Sequence, residues 1–310
     1  MSRIFPDPRL YTWVKGSTER ELEAIIQDVQ PEIILGAWST PRLPIINGKP
    51  PASIYCHICG SVRHQVDKRH LELGMKVTNW GNTVAKTVAE SAIMLALAAL
   101  RNVGYHTNSL HYEKGWRDPK SPPQKSFIGA KIGIHGMGQV GASLAKFLQP
   151  YEAEISAYDP YAEPSAFLEN NVRRVADIDE LFHTSEVFFE CCALTPETVG
   201  VVDRRRIQML PVDAVFINVG RGELVDEFAL ANAISERRLR AGLDVYQTEP
   251  LPEDSPLRGL RGMIGTPHLG GNNVKSHRNA GVLALKNIDA YLSQAPLTNE
   301  ITIEQYERMT

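Results

Sequence analysis

The chain has 310 residues, 43% of them hydrophobic and 22% charged, which is the composition of an ordinary globular protein long enough for two domains. Its formal net charge of −3 gives no electrostatic argument for binding nucleic acid or an anionic membrane surface. No apolar run approaches the roughly 20 residues that cross a bilayer, so we expect a cytoplasmic protein without nucleic-acid or membrane partners.

The first part of the chain predicts a small α/β domain. Apolar residues at helical spacing between residues 19 and 29 predict a helix, with Ser17 or Thr18 as its N-cap. Apolar runs at 33–36, 53–58 and 76–78 predict three strands, and a short helical stretch ends at Leu73. The proline-rich passage from Pro41 to Pro51 predicts a loop between the first two strands.

The four cysteines do not predict a metal site. Cys56 and Cys59 have the spacing of zinc and redox motifs, but no second pair follows at zinc-site distance. They also fall in or beside a predicted strand, where residues three apart point to opposite faces. Cys191 and Cys192 end another apolar run, which favours packing. We expect reduced thiols and no metal.

A long apolar helix and a segment without a clear pattern follow. Residues 83–101 are alanine-rich and mostly apolar, which predicts a helix buried between elements or domains. Residues 102–125 lose this pattern and contain Gly115-Trp116 and a proline cluster. They are either an arm that contacts a second subunit or a plain surface loop, and both interpretations remain open.

From Lys131 onwards, strand and helix patterns alternate regularly. Apolar runs predict strands at 132–135, 154–158, 187–192, 214–219, 239–245 and 263–265. Helical patterns lie at 139–149, 177–183, 203–210 and 227–237, and a final helix is predicted at 274–293. Strands that are apolar throughout, with helices between them, predict a doubly wound parallel sheet of the Rossmann type, covered on both faces.

The first of these strands leads into a glycine-rich turn with G-x-G-x-x-G spacing, and an amphipathic helix follows at once. In such a turn the first glycine permits the bend, the second lets a pyrophosphate approach, and the third allows close packing of helix and strand. Unpaired N–H groups at the helix N-terminus then bind the anion. The predicted contacts are Gly136, Met137, Gly138, Gln139, Val140 and Gly141.

An acidic residue at the tip of the second strand indicates which dinucleotide binds. Asp159, followed by Pro160, comes directly after the apolar run 154–158. A carboxylate there binds the ribose 2′-hydroxyl of NAD and repels the 2′-phosphate of NADP. We therefore predict an NAD site that includes Asp159 and Pro160. His135 lies inside the first strand, where packing in the core or beside the adenine is expected.

Three side chains suited to catalysis come after later strands. Arg221 stands on a glycine-rich turn after 214–219, Glu249 comes after 239–245, and His268 comes after 263–265. Since ligands bind beyond the carboxyl ends of parallel strands, these residues share an edge with the glycine loop. Arginine can grip a carboxylate and polarise a carbonyl, histidine can move a hydroxyl proton, and a carboxylate can orient the imidazole. This combination suits hydride transfer between a nicotinamide and a hydroxy acid.

Each of these residues also has a simpler explanation. Arg221 can pair with Glu223 or Asp226. Glu249 can be a solvated loop residue before a proline, and His268 can be a turn residue with satisfied hydrogen bonds. Their common position beside a dinucleotide site favours the catalytic interpretation for all three.

These residues resemble the signature blocks of a known family, the D-isomer-specific 2-hydroxyacid dehydrogenases. The similar blocks are 218–227 (Asn-Val-Gly-Arg-Gly-Glu-Leu-Val-Asp-Glu), 244–251 (Asp-Val-Tyr-Gln-Thr-Glu-Pro-Leu) and 266–268 (Thr-Pro-His), with 88–90, 193–198 and the glycine loop. The resemblance covers roughly residues 50–300 and implies a catalytic Arg221, with Glu249 orienting His268 as the acid/base. Glutamate rather than glutamine at position 249 argues against the formate dehydrogenase branch.

The resemblance also implies binding residues. It implies that Asp244 binds the nicotinamide carboxamide and that the backbone of Gly60-Ser61-Val62 binds the substrate carboxylate. Arg221 and His268 are expected to contact the substrate as well. Further cofactor contacts are implied for Leu194, Thr195, Thr198, Val219, Gly220 and His268.

The resemblance implies a domain organisation and an assembly. A smaller flavodoxin-like α/β domain is expected from both chain ends, residues 1–81 with 286–310, and a dinucleotide-binding domain from residues 82–285. Members of this family form homodimers through the cofactor domain, so a homodimer is expected.

Three positions depart from the family pattern. The chain has little sequence ahead of Leu10–Lys15, where the family usually has a further strand and helix. Arg63 stands where many relatives carry an aspartate or asparagine, so it either favours a substrate with a second anionic group or is solvated or paired with Asp67. Asn272-Asn273 follow His268 where a small hydroxyl residue and an acid are frequent.

The leading hypothesis is an NAD-dependent oxidoreductase that acts on a D-2-hydroxy acid or its 2-keto acid. One alternative is an NAD(H)-sensing binding protein of the co-repressor type, in which the chemistry is vestigial. Another is a dehydrogenase of a different small oxyanion, such as phosphite.

Overall fold

The computed structural model describes residues 18–116 and 121–308. Its helices are α1 (Glu19–Val29), α2 (Lys68–Glu72), α3 (Ala85–Leu100), α4 (Val103–His111), α5 (Gln139–Leu148), α6 (Pro164–Leu168), α7 (Ile178–Thr184), α8 (Arg204–Met209), α9 (Glu227–Ser235), α10 (Val274–Leu292) and α11 (Ile303–Arg308). Its strands are β1 (Ile33–Gly36), β2 (Ile54–His57), β3 (Lys76–Thr78), β4 (Lys131–His135), β5 (Glu154–Tyr158), β6 (Arg173–Arg174), β7 (Val187–Glu190), β8 (Ala214–Asn218), β9 (Leu239–Leu243) and β10 (Met263–Gly265).

The chain divides into two compact units. Among the described residues, the small unit comprises 18–84 and 274–308, and the large unit comprises 85–116 and 121–273. The boundary predicted between residues 285 and 286 falls inside α10, and the structure assigns this whole helix to the small unit. Ser17 and the segment Leu10–Lys15 lie outside the described residues.

The large unit has the predicted Rossmann architecture. Within the described residues, its parallel sheet has the strand order β10-β9-β8-β7-β4-β5-β6. The order reverses between β4 and β7, and ligands bind at such a switch point in open α/β sheets. The outer strand β6 was not predicted, because two exposed arginines carry no apolar signal.

Several predicted ends shift by one or two residues because polar side chains cap the elements. Asp177 and Asp203 were predicted inside helices, but each is an N-cap whose carboxylate accepts a backbone N–H. Thr18 caps α1 in the same way, within a capping box. The strand predicted at 187–192 ends at Glu190, since the N–H of Cys192 donates to the Glu190 side chain at 3.0 Å.

One face of helix α3 is buried in the large unit, so the predicted burial is confirmed for part of the helix. The helical stretch Gly81–Leu100 is long and apolar enough to cross a membrane by length and composition alone. Within the large unit, however, Ala92, Leu95 and Ala96 belong to the core beneath the sheet. A Cβ at Gly242 of β9 would lie 2.9 Å from the Cβ of Leu95, so strand and helix are in close contact.

Helix α4 lies in the segment that was predicted as either a subunit-contact arm or a plain surface loop. Residues 102–125 begin with the helix Val103–His111, which contradicts a plain loop over that range, whereas the subunit contact stays a prediction. Gly104 lies against β10, where an added Cβ would be 2.6 Å from the Ile264 side chain. Packing against β10 therefore stabilises a helix here, although its residues are mostly polar and have low helix propensity. Residues 117–120 lie outside the description.

The small unit is built on the parallel sheet β1-β2-β3. Side chains alternate across β2. Ile54 and Cys56 form one cluster with Ala284 and Ile288 of α10. Tyr55 belongs to a second cluster whose other buried members are Leu43, Val62, Val66, Met75, Val77, Ile301 and Tyr306. Helix α11, where only a short tail was predicted, supplies Tyr306 to this second face.

Candidate active site

The glycine loop between β4 and α5 has the geometry that its spacing predicts. Gly136 has φ = +92°, and a Cβ there would lie 2.7 Å from the Cα of Cys192. A Cβ at Gly141 would lie 2.1 Å from the carbonyl oxygen of Gly136, so helix and turn are tightly packed. A Cβ at Gly138 would meet no protein atom within 4 Å. The open side at Gly138 and the N-terminus of α5 fit a pyrophosphate.

Asp159 is attached to this loop. Its Oδ2 accepts the N–H of Met137 at 2.9 Å, and its Oδ1 accepts the N–H groups of Tyr161 and Ala162. These bonds hold the carboxylate at the tip of β5, beside the glycine turn. That position fits the ribose side of a dinucleotide, and the exposed Pro160 follows it.

His268 and Glu249 form a hydrogen-bonded pair. His268 Nδ1 lies 2.7 Å from Glu249 Oε2. Since an ionised carboxylate only accepts hydrogen bonds, Nδ1 carries a proton and Nε2 can exchange one with a ligand. The other Glu249 oxygen accepts the N–H of Tyr246 at 3.1 Å, which fixes the carboxylate. Both side chains remain partly exposed.

The turn that carries His268 is fixed by Asp244. The buried Asp244 carboxylate accepts the Thr266 hydroxyl at 2.6 Å and the N–H groups of Leu269 and Gly270 at 2.8 Å each. His268 itself has φ = +54°, a left-handed conformation that these bonds hold in place. Asp244 thus organises the His268 turn, a role that the sequence did not reveal. Its implied contact with a nicotinamide carboxamide stays a prediction.

Arg221 lies on a turn that packs against the Glu249 loop. Asn218 fixes this turn, because its side-chain amide donates to the Arg221 carbonyl at 2.8 Å and accepts the Gly220 N–H at 3.0 Å. A Cβ at Gly222 would lie 1.8 Å from the carbonyl carbon of Tyr246. Only glycine permits this approach, which joins the turn to the segment that holds Glu249.

Burial and neighbouring charges both affect the pKa of Arg221. Burial lowers the pKa of its guanidinium, whereas the carboxylates of Glu223 and Glu249 raise it. A half-buried guanidinium near the Glu249–His268 pair suits an anionic ligand. A cavity of about 850 Å³ beside the pair is lined by residues that include Tyr246, Pro250, Arg258, Thr266 and Pro267.

Tyr246 is a site residue that sequence reasoning missed. Its N–H donates to Glu249, and its hydroxyl donates to the carbonyl of Thr266 at 3.2 Å. Burial raises the pKa of this hydroxyl to about 12, so it remains a donor at neutral pH. Tyr246 therefore connects the strands that carry Glu249 and His268. The available signal was its position within the block 244–251.

The remaining predicted cofactor residues lie at the carboxyl ends of β7 and β8. After β7, the Thr195 N–H donates to the Thr198 hydroxyl at 2.7 Å, which shapes the turn containing Leu194. After β8, Val219 is buried, and a Cβ at Gly220 would lie 3.0 Å from the Cys192 carbonyl oxygen. Parallel pairing of β4, β7 and β8 brings these turns to the edge that carries the glycine loop.

His135 is buried, as expected for a core position. Its Nδ1 lies 2.7 Å from Glu190 Oε2 across the switch point between β4 and β7. Ligand atoms of His135, Glu190 and Cys192 lie within 4.8 Å of one another, close enough for a metal ion. In the structure the imidazole and carboxylate are hydrogen-bonded to each other. Burial raises the pKa of the Cys192 thiol and disfavours the thiolate that a metal requires.

The predicted substrate loop Gly60-Ser61-Val62 lies in the small unit, after β2. The Asn79 side-chain amide donates to the Gly60 carbonyl at 2.8 Å, and a Cβ at Gly60 would lie 3.2 Å from the Trp80 ring. Arg63 is exposed, and its guanidinium donates to backbone carbonyls of α11 instead of pairing with Asp67. A contact between Arg63 and a second anionic group of the substrate stays a prediction. The carboxylate of Asp67 pairs with Arg42.

The chain is similar to known proteins over most of its length. Residues 93–270 match the family model described as D-isomer specific 2-hydroxyacid dehydrogenase, NAD binding domain. A hydroxypyruvate reductase of Blautia hydrogenotrophica is 32% identical over 283 residues, 89% of this chain and 87% of that protein. A glyoxylate/hydroxypyruvate reductase of Arabidopsis thaliana is 28% identical, covering 96% of each chain. A solved glyoxylate reductase from Paecilomyes thermophila, 22% identical with a TM-score of 0.80 over 93% of this chain and 90% of that chain, shares the fold.

Proposed function

Because the chain belongs to the D-isomer specific 2-hydroxyacid dehydrogenases, which are NAD-dependent oxidoreductases, we propose that it transfers a hydride between NAD(H) and a small D-2-hydroxy acid or its 2-keto acid. The observation that carries this proposal is the His268–Glu249 pair, which is hydrogen-bonded at 2.7 Å and remains partly exposed to a ligand. The pair lies at the sheet edge that also carries the glycine loop and Arg221. When bound, the nicotinamide supplies or accepts the hydride.

His268 is the proton donor and acceptor in this proposal. With Nδ1 held by Glu249, its Nε2 gives a proton to the carbonyl oxygen as a keto acid is reduced, and takes it back in the reverse direction. Glu249 fixes the ring orientation and stabilises the imidazolium form. Asp244 and Tyr246 position both residues through the hydrogen bonds that fix their loops.

Arg221 is the anion-binding residue. A guanidinium can bind the substrate carboxylate through two parallel hydrogen bonds and polarise the adjacent carbonyl. Its partial burial strengthens this interaction, because less water competes for the ligand. The backbone of Gly60-Ser61-Val62 is proposed to bind the carboxylate as well, as the family resemblance implies.

Substrates with a short side chain are proposed first. Two relatives that align over most of both chains are named for hydroxypyruvate and glyoxylate, and the three proposed catalytic residue types are present here. We also propose a homodimer formed through the large unit. Exposed apolar side chains on α3, on α4 and the residues after it, and on α5 support this assembly: Met94, Leu110, Tyr112, Trp116 and Phe147.

The test is NADH oxidation with a panel of glyoxylate, pyruvate, hydroxypyruvate, aryl-pyruvates and keto-dicarboxylates, and with NAD plus phosphite as a separate arm. We expect turnover of at least one keto acid, with NADH preferred over NADPH. Arg221→Ala should lower kcat/KM by about 10²-fold or more, since it removes a charged, partly buried contact. Arg204→Ala, which removes an exposed arginine on α8, is the control and should leave the rates unchanged.

Three outcomes would contradict the proposal. Turnover of phosphite alone would assign another oxyanion as substrate. Tight NADH binding without turnover of any compound would indicate a sensing protein. An Arg221→Ala enzyme with unchanged kcat/KM on every accepted keto acid would remove Arg221 from its role.

A further inference from the structure

Arg63 directly follows residues 60–62, here called the carboxylate loop, and it is attached to helix α11. Its Nη2 lies 2.9 Å from the carbonyl oxygen of Tyr306 and 2.8 Å from that of Glu307. The guanidinium also stacks over the Tyr306 ring, 5.0 Å from its centroid. Carbonyls in the last turn of a helix have no partner within the helix, so a cation is a favourable donor to them.

The same helix reaches the carboxylate loop by a second route. Tyr306 is buried, and its hydroxyl donates to the Val66 carbonyl at 2.7 Å. The N–H of Val66 in turn donates to the carbonyl of Val62 at 2.8 Å. Two consecutive hydrogen bonds therefore lead from α11 to the last residue of the loop. Arg63 and Tyr306 together fix its downstream end.

The upstream end of the loop is held independently of α11. Asn79 donates to the Gly60 carbonyl, and the Trp80 N–H donates to the Cys59 carbonyl at 3.1 Å. These partners follow β3 and do not involve the helix. Loss of the α11 contacts would therefore loosen only one end of the loop and leave the other in place.

Whether the carboxylate loop is held at both ends or only at one end affects how well it can bind a carboxylate. A backbone segment binds an anion well only when its N–H groups already point to one place. The conformational entropy of the segment is then lost on folding and not on binding. A loop held at one end keeps its sequence and loses part of this preorganisation. The expected consequence is weaker binding of the carboxylate, with little change in the chemical step.

We propose that Arg63 is a positioning residue for the substrate: by holding α11 it fixes the carboxylate loop in its binding conformation. The inference rests on the proposed function, since it takes the carboxylate loop to be the substrate-binding segment. The donors that this role requires belong to Nη2, which contacts the carbonyls of Tyr306 and Glu307, so the attachment to α11 does not depend on a second anionic group in the substrate.

The kinetic test compares Arg63→Met with Arg63→Lys in the full-length chain. Arg63→Met should raise the KM for the best keto acid about threefold to tenfold, the effect of losing one or two exposed charged hydrogen bonds. Its kcat and its KM for NADH should stay within about twofold of the wild type. Arg63→Lys keeps a cation that can reach one carbonyl, so it should restore part of the KM.

Lys68→Met is the matched control. Lys68 Nζ also contacts α11, at 2.5 Å from Glu307 Oε1, but this pair is exposed and lies beyond the carboxylate loop. The Lys68→Met substitution should leave the KM for the keto acid unchanged. An equal rise of KM in Lys68→Met would mean that any weakening of α11 matters, which would contradict a specific role for Arg63.

Amide hydrogen exchange provides a readout that does not require activity. Arg63→Met should speed exchange within 60–66, and Lys68→Met should not. Unchanged exchange at residues 60–62, or an unchanged keto-acid KM in an active enzyme, would overturn the proposal. If the wild type reduces no keto acid while exchange still rises, the proposed function fails and the substrate role of Arg63 with it, although the attachment to α11 stands.

Discussion

Two glutamate–histidine pairs in the large unit have the same separation and opposite surroundings. In each, the histidine Nδ1 lies 2.7 Å from a glutamate Oε2. The side chains of His268 and Glu249 are 47% and 36% exposed, whereas those of His135 and Glu190 are 5% and 0% exposed. The hydrogen bond alone therefore does not identify a catalytic pair.

The surroundings separate the two roles. His268 stands on a left-handed turn after β10 and keeps nearly half of its side chain available to a ligand. Glu190 uses its second oxygen to accept the Cys192 N–H, directly beneath the glycine loop. The buried pair thus joins the ends of β4 and β7 at the switch point, and we interpret it as a structural clamp for the glycine loop.

We expect the largest effect on catalytic activity, and we expect it at the His268–Glu249 pair and not at the His135–Glu190 pair. His268→Gln removes the proposed proton donor and keeps a side chain of similar size, so kcat/KM should fall by about 10²- to 10⁴-fold. The melting temperature should change little, because the residue is exposed. His135→Gln is the matched variant at the buried pair and should retain kcat in the folded fraction. Equal losses of kcat in both variants would remove the distinction.

Substitutions at the buried His135–Glu190 pair should lower the free energy of unfolding more than substitutions at the exposed pair. Glu190→Ala leaves a buried imidazole without its partner, so the free energy of unfolding should fall by about 3–5 kcal/mol in urea titrations. Glu249→Ala, at the exposed pair, should cost less than about 1 kcal/mol. Replacing both buried partners, as His135→Phe with Glu190→Leu, should recover much of the loss. A Glu190→Ala protein as stable as the wild type would contradict the clamp.

A third histidine, in the small unit, shows what burial does without a carboxylate. His57 Nδ1 lies 2.9 Å from the Tyr55 hydroxyl, and burial lowers the pKa of its imidazole from 6.5 to about 4. Between these values the unfolded chain binds a proton that the folded chain does not. The free energy of unfolding should therefore fall as the pH drops from 6.5 towards 4, by at most about 3 kcal/mol.

His57→Gln checks this expectation, since it removes the titrating group. Urea midpoints measured at about pH 7 and about pH 4.5 should differ less in the variant than in the wild type. Identical pH dependence in both proteins would show that other groups cause the slope.

Local patterns predicted most of the large unit and the position of its site. The glycine spacing, Asp159 and the residues after β8, β9 and β10 could be located because parallel strands bring their carboxyl ends to one edge. The resemblance of the blocks then supplied roles for Arg221, Glu249 and His268. Those roles remain predictions, but the structure shows the Glu249–His268 pair.

Contacts between distant residues could not be predicted. Arg63 and Tyr306 are 243 positions apart, and no local pattern indicates their contact. Glu190 lies within an apolar run, so its pairing with His135 across two strands was not visible. Helices α4 and α11 were missed because they are short and depend on packing more than on helix propensity. Asn218 and Tyr246 act through backbone hydrogen bonds, which sequence motifs do not display.

The outer strand β6 has a consequence for how the molecule associates with copies of itself. A strand at the end of a sheet presents unpaired N–H and C=O groups, onto which another chain can add a strand. Here that strand is only Arg173–Arg174, and both side chains are exposed. Two copies that approached through this edge would bring four guanidinium groups together over a very short ladder. Strand-by-strand growth is therefore disfavoured on this side, at the opposite end of the sheet from β9 and β10.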